Sequence, residues 1–142
     1  MKASILYLSL KNWRRDTEMK VITLGEILLR LSTADDVRLK SAKEFRVCYG
    51  GAEANVGISL AHFGHDVSVA TVLPQDNPLN DAVSSRLRMN GINTNLVATE
   101  YGRLGTYFLE QGNAGRATRV TYDRLYSSIS VLETLCWDLD EI

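Results

Sequence analysis

With only two cysteines and two prolines in 142 residues, the chain has no material for a disulfide framework and none for a proline-rich recognition tract. Cys48 and Cys136 show no CxxC spacing, so they read as two buried thiols of a cytoplasmic protein, not as metal ligands or a bridge. No apolar run approaches the ~20 residues of a membrane-spanning helix. Neither charge sign is in excess: 16 Lys and Arg stand against 17 Asp and Glu, for a net charge of -1. That balance excludes a polybasic surface for nucleic acid or an anionic membrane. Several catalytic signatures are absent as well: Walker A, GxGxxG, HExxH and GxSxG. His62 and His65 flank a helix end with no cysteine or carboxylate set around them, so they read as surface or capping residues and no metal site is expected.

Apolar residues, by contrast, make up 45% of the chain. A chain of this length buries about 70% of its unfolded surface, which is enough for a core without staples. Residues 1–18 lack both a signal-peptide core and a cleavage site and read as a poorly ordered extension; Met19-Lys20 looks like a fresh domain start. From Val21 the pattern alternates. Val21–Leu24, Ile27–Leu31 and Glu44–Tyr49 predict strands, and Gly50-Gly51 breaks the third sharply. Ala54, Ile58 and Ala61, beside a second stripe of Val56, Leu60 and Phe63, predict a helix that is apolar around most of its circumference and therefore buried, closed by Gly64. Val67–Leu73 reads as a buried strand, and Asn77-Pro78 as the cap and first residue of a second helix that ends at Gly91. A weaker strand is expected over Ile92–Ala98. Strands alternating with helices predict an α/β fold with a doubly wound sheet.

The rhythm breaks between Gly105 and Arg124, where two extended runs flank Gly112–Arg116 as an antiparallel hairpin. The two-residue strand period puts Val120, Tyr122 and Arg124 on one face. A ring beside a guanidinium fits plain cross-strand packing. It fits equally a platform for a small anionic ligand, since the ring covers an apolar face and the guanidinium grips a carboxylate through parallel hydrogen bonds. Gly51-Ala52-Glu53-Ala54-Asn55, between a strand and a helix, is open to two readings in the same way. It is either a tight turn or a loop that admits a ligand to unpaired helix N–H groups, with Asn55 reading hydroxyls.

Four segments in order carry a resemblance to a known family. They are Val21–Thr33 (VITLGEILLRLST), Tyr49–His65 (YGGAEANVGISLAHFGH), Leu73–Leu79 (LPQDNPL), and the pair Arg103–Glu110 (RLGTYFLE) and Val120–Ser128 (VTYDRLYSS). Together they resemble the ribokinase, or PfkB-type, carbohydrate kinases, and most of all their 2-dehydro-3-deoxygluconate kinase branch, over about Met19 to Trp137. The resemblance implies a ribokinase-like, Rossmann-like α/β domain with a small β lid. It also implies ATP- and Mg²⁺-dependent phosphorylation of a sugar's primary hydroxyl. Carried onto this chain, it implies that Gly51, Ala52, Glu53, Ala54 and Asn55 line the sugar. Tyr107 and Tyr122 would close over it, Arg124 would meet a sugar-acid carboxylate, and Glu26 would make a further polar contact. Gly57 departs from the family's Ser, Thr or Ala, which is expected to loosen packing by about 0.5–1 kcal/mol.

In this family the base and the anion-holding N–H groups come from a GAGD-type motif that this sequence lacks. The ending Cys136–Ile142 resembles the stretch before the family's next core strand. The expectation is an N-terminal portion, residues 19–142, that carries the sugar side and the lid but no catalytic residue and no nucleotide site. Two alternatives stay open: a noncatalytic module that dimerises through the lid, and a kinase for a neutral sugar such as fructose.

Overall fold

The computed structural model describes residues 19–113, 115–134 and 136–138, so the extension expected over 1–18 lies outside the described residues. The elements in chain order are β1 (Lys20–Leu24), β2 (Leu28–Ser32), a single 3₁₀ turn (Leu39–Ser41), β3 (Arg46–Gly50), α1 (Ala52–His62), β4 (Asp66–Pro74), α2 (Asn80–Met89), β5 (Ile92–Asn93), β6 (Val97–Glu100), β7 (Thr106–Glu110) and β8 (Arg119–Asp123). They form two four-stranded sheets. In the first, β4 lies between β1 on one side and β5 and β6 on the other, all parallel. The second runs β3-β2-β7-β8, with β2 and β7 parallel and the outer pairs antiparallel.

The nine residues of β4, DVSVATVLP, explain its central place. Such a β-branched, almost uninterrupted apolar run suits a strand covered on both faces. Val67, Val69 and Leu73 are each 1% exposed, and burial at that level contributes about 1.5–3 kcal/mol per side chain. They join Ile27, Ala54, Val83, Leu87, Ile92 and Leu104 in one cluster, so both helices dock on the parallel sheet through the same core.

The expected strand over Ile92–Ala98 is instead two short ones. The N–H of Asn95 donates to Asn93 Oδ1 at 3.0 Å, an Asx turn that redirects the chain. β5 therefore pairs with Val67-Ser68 and β6 with Thr71–Pro74 on the same side of β4.

Helix α1 is not buried all round as its composition suggested: Val56 is 55% and Phe63 75% exposed. It seats on the sheet through its small residues. A Cβ at Gly57 would lie 3.2 Å from Thr23 Oγ1 and 3.3 Å from Val67 Cγ1, so glycine lets the helix approach closely instead of loosening it. Ile58, Leu60 and Ala61 pack beside that contact. Asn77 is not the cap of α2 as expected: the cap position is Leu79, with no side-chain bond. The Asn77 Oδ1 instead accepts from the N–H of Leu79 at 2.9 Å in a turn that precedes the helix. Gly64 and Gly91 follow the two helices at φ +94° and +78°, the left-handed stop that glycine adopts freely. Neither cysteine is buried as expected: Cys48 is half-buried on β3 and Cys136 exposed, and both are free thiols.

Candidate functional site

The first sheet passes to the second immediately after β1. Gly25 N–H still bonds Ala70 O at 3.1 Å, and the chain then crosses through Glu26 and the buried Ile27 into β2. Glu26 becomes a hub there. Its carbonyl oxygen occupies the space a Cβ on Gly51 would need, and its Oε1 occupies the space a Cβ on Gly105 would need. Gly51 is thus required by close approach of backbone, whereas at Gly105 the crowding atoms are the ends of the Glu26 and Leu28 side chains. The Glu26 side chain is 7% exposed; Oε2 accepts from Arg124 Nε at 2.6 Å, while Oε1 is buried without a hydrogen-bond partner.

The loop at the start of α1 faces this hub. Gly51 is extended (φ -153°, ψ 160°) and caps the helix with its backbone alone, Asn55 N–H donating to its carbonyl at 2.9 Å. Ala52, Glu53 and Asn55 are exposed, and the Glu53 carboxylate lies over Gly25. Asn55 Oδ1 sits 3.6 Å from the position of a Cβ on Gly50. Ala54 departs from the expectation that it lines the loop, because its methyl group is 3% exposed and belongs to the core. Helical geometry forces this, since one residue in the first turn must face the sheet.

The second sheet supplies the opposite wall. Tyr107 on β7 is directly across from Tyr122 on β8, with ring centroids 5.7 Å apart. Arg124 follows β8 and closes on Glu26, which joins these two candidate residues in one ion pair. Arg103 anchors the base of the hairpin with a two-pronged contact to Asp123, at 2.7 and 2.8 Å. On the reverse face Phe45 packs edge-on to Phe108 at 5.9 Å.

One further residue of this wall carries little local signal in the sequence. Arg30 on β2 is paired with Cys48 on one side and Tyr107 on the other, so Cys48, Arg30, Tyr107 and Tyr122 form a row across four strands. Burial works against its charge, but the Cys48 thiol and Tyr107 hydroxyl outweigh it and hold the guanidinium above its ordinary pKa. The only available signal was a charged residue inside the apolar run Ile27–Leu31.

Comparison with known proteins places this arrangement. Residues 18–136 match the pfkB family carbohydrate kinases. The 2-dehydro-3-deoxygalactonokinase of Haloferax volcanii is 32% identical over 111 residues, covering 78% of this chain and 35% of that protein. Among solved structures, the 2-dehydro-3-deoxygluconokinase of Thermotoga maritima is 48% identical with a TM-score of 0.76, over 82% of this chain and 35% of the other. A PfkB family carbohydrate kinase from Listeria grayi is 40% identical with a TM-score of 0.80, over 87% and 38%. The chain therefore spans little more than a third of the length of these relatives.

Proposed function

Because the chain belongs to the pfkB family of carbohydrate kinases, we propose that it is the sugar-binding, lid-bearing portion of a kinase for 2-dehydro-3-deoxygluconate or a closely related sugar acid. The observation that carries this reading is the buried Glu26 carboxylate at the base of the hairpin that bears the Tyr107–Tyr122 pair, against Gly105 and Arg124. One carboxylate oxygen holds Arg124 in place, and the other is buried with its acceptor capacity unused. A buried carboxylate oxygen without a partner costs about 1–3 kcal/mol, and a ligand hydroxyl removes that cost.

The residues divide the work by chemistry. Glu26 Oε1 accepts from a sugar hydroxyl, and Asn55 reads a second one with donor and acceptor together. Gly51 leaves room for the ring, and the unpaired N–H groups of Ala52 and Glu53 at the start of α1 face its polar edge. Tyr107 and Tyr122 cover the apolar face and exclude water, while Arg124 offers its outer N–H groups to the acid's carboxylate. The phosphoryl donor implied by family membership is ATP with Mg²⁺. Among the described residues no group of three or more His, Cys, Asp or Glu side chains is placed to hold a metal ion. The described chain binds and orients the sugar, and phosphate chemistry belongs to residues outside it. A coupled ATP assay on the purified 142-residue chain with 2-dehydro-3-deoxygluconate is expected to give no turnover; turnover above background refutes this division of labour.

A second reading, dimerisation through the lid, is favoured by β8. This strand pairs on one side only, and all five of its residues are exposed. An unpaired edge of that kind accepts a strand from another subunit.

A further inference from the structure

The charges on the sugar-facing side of the lid do not balance. Strand register assigns one face of the second sheet to Leu28, Arg30 and Ser32, to Arg46 and Cys48, to Tyr107 and Leu109, and to Val120 and Tyr122. No carboxylate from the four strands lies on that face, since Glu110 and Asp123 alternate to the other. Arg124 and Glu26 come together as a pair of zero net charge. The salt bridges among the described residues join Arg103 to Asp123, Arg116 to Glu110 and Arg124 to Glu26, and Arg30 takes part in none. Its guanidinium is half-buried between Cys48 and Tyr107, with a buried Nε that has no hydrogen-bond partner.

We infer that Arg30 is a specificity-determining residue: Arg46 on the same face is exposed to solvent, whereas Arg30 is the half-buried positive charge without a carboxylate partner that makes this lid face select a ligand bearing a carboxylate. Arg124 alone does not provide it, because Glu26 already neutralises that guanidinium. Arginine has five N–H donors and no acceptor. A guanidinium beside Tyr107 can therefore only donate to the phenolic oxygen, which leaves the phenolic hydrogen to be donated elsewhere. Tyr107 then adds a neutral donor next to the cation, and the pair matches an anionic oxygen better than a neutral hydroxyl. The buried Nε–H of Arg30 also has no acceptor until an anion supplies one, which turns the ligand's charge into binding selectivity.

The inference rests on the sugar-acid reading above, and the test separates the two. The 142-residue chain and its Arg30→Gln, Arg30→Met and Arg30→Lys variants are titrated calorimetrically with 2-dehydro-3-deoxygluconate and with fructose, after their circular dichroism spectra are compared. The neutral variants are expected to bind the acid about tenfold to a hundredfold more weakly, with fructose binding unchanged, and Arg30→Lys to restore most of the preference. Acid and fructose affinities that fall together, or an acid preference that survives in the neutral variants, overturn the role of Arg30 and leave the sugar-acid reading standing. Loss of the fold in both neutral variants overturns it in favour of a purely structural role. A parent chain that binds the acid no better than fructose overturns the sugar-acid reading itself, and the role of Arg30 with it.

Discussion

Arg124 donates from Nε to Glu26 Oε2 at 2.6 Å, across 98 positions of sequence, and so ties the end of the lid hairpin to the point where the chain leaves the first sheet. The two partners are unequal, because the glutamate side chain is 7% exposed and the arginine 52%. Their variants should therefore differ. Arg124→Ala leaves a buried carboxylate with no charged donor and is expected to destabilise the chain by about 1–3 kcal/mol. Glu26→Gln keeps the shape and an acceptor, frees an already exposed cation, and should cost about 1 kcal/mol or less. Urea unfolding of the two variants measures the asymmetry, and equal losses would argue against a buried glutamate hub.

The glycines around that hub give a second prediction. A Cβ at Gly51 would strike the Glu26 carbonyl oxygen, and one at Gly105 would strike Glu26 Oε1. Gly115 has no heavy atom within 4 Å of the same position. Gly51→Ala is expected to cost about 1–3 kcal/mol because backbone must shift, while Gly115→Ala stays within about 0.5 kcal/mol. Thermal melts of the three alanine variants should rank Gly51 as most sensitive and Gly115 as least, with Gly105 between them because the atom it meets is the end of a side chain.

Much of this was legible in the sequence, because the signals were local. The strand-to-helix break at Gly50-Gly51, the left-handed stop at Gly64 and the antiparallel hairpin of β7 and β8 each depend on a few neighbouring residues. Arg30 was not legible, since its place in the wall comes from pairing with Tyr107, a contact made by sheet register and not by spacing. The Glu26–Arg124 pair is hidden for the same reason: each residue stands out as a candidate by itself, but a link across 98 positions leaves no periodic trace. Helix α1 misled in the opposite way. Its composition counts apolar residues, whereas its burial follows Gly57 and Ala54, the small residues that permit contact.

The unpaired edge of β8 yields a third expectation. If the lid pairs with its counterpart, light scattering behind size-exclusion chromatography should show a mass near twice 15.8 kDa, falling to the monomer on dilution. Val120→Lys places a charge on that strand, where the native side chain is 42% exposed, and should shift the equilibrium to monomer. A monomer at every concentration would remove the lid-pairing reading without touching the sugar site.

The central claim is that the α1 entry loop and the lid face together bind a sugar acid. Its most direct test is titration of the ¹⁵N-labelled 142-residue chain with 2-dehydro-3-deoxygluconate, followed by amide chemical shifts. Saturable shifts are expected at Glu26, Gly51, Asn55, Tyr107, Tyr122 and Arg124, with little change at Asn93 and Asn95, which line a separate groove beside Lys20 and Asp66. Shifts confined to that groove, or none at saturating sugar acid, would contradict it.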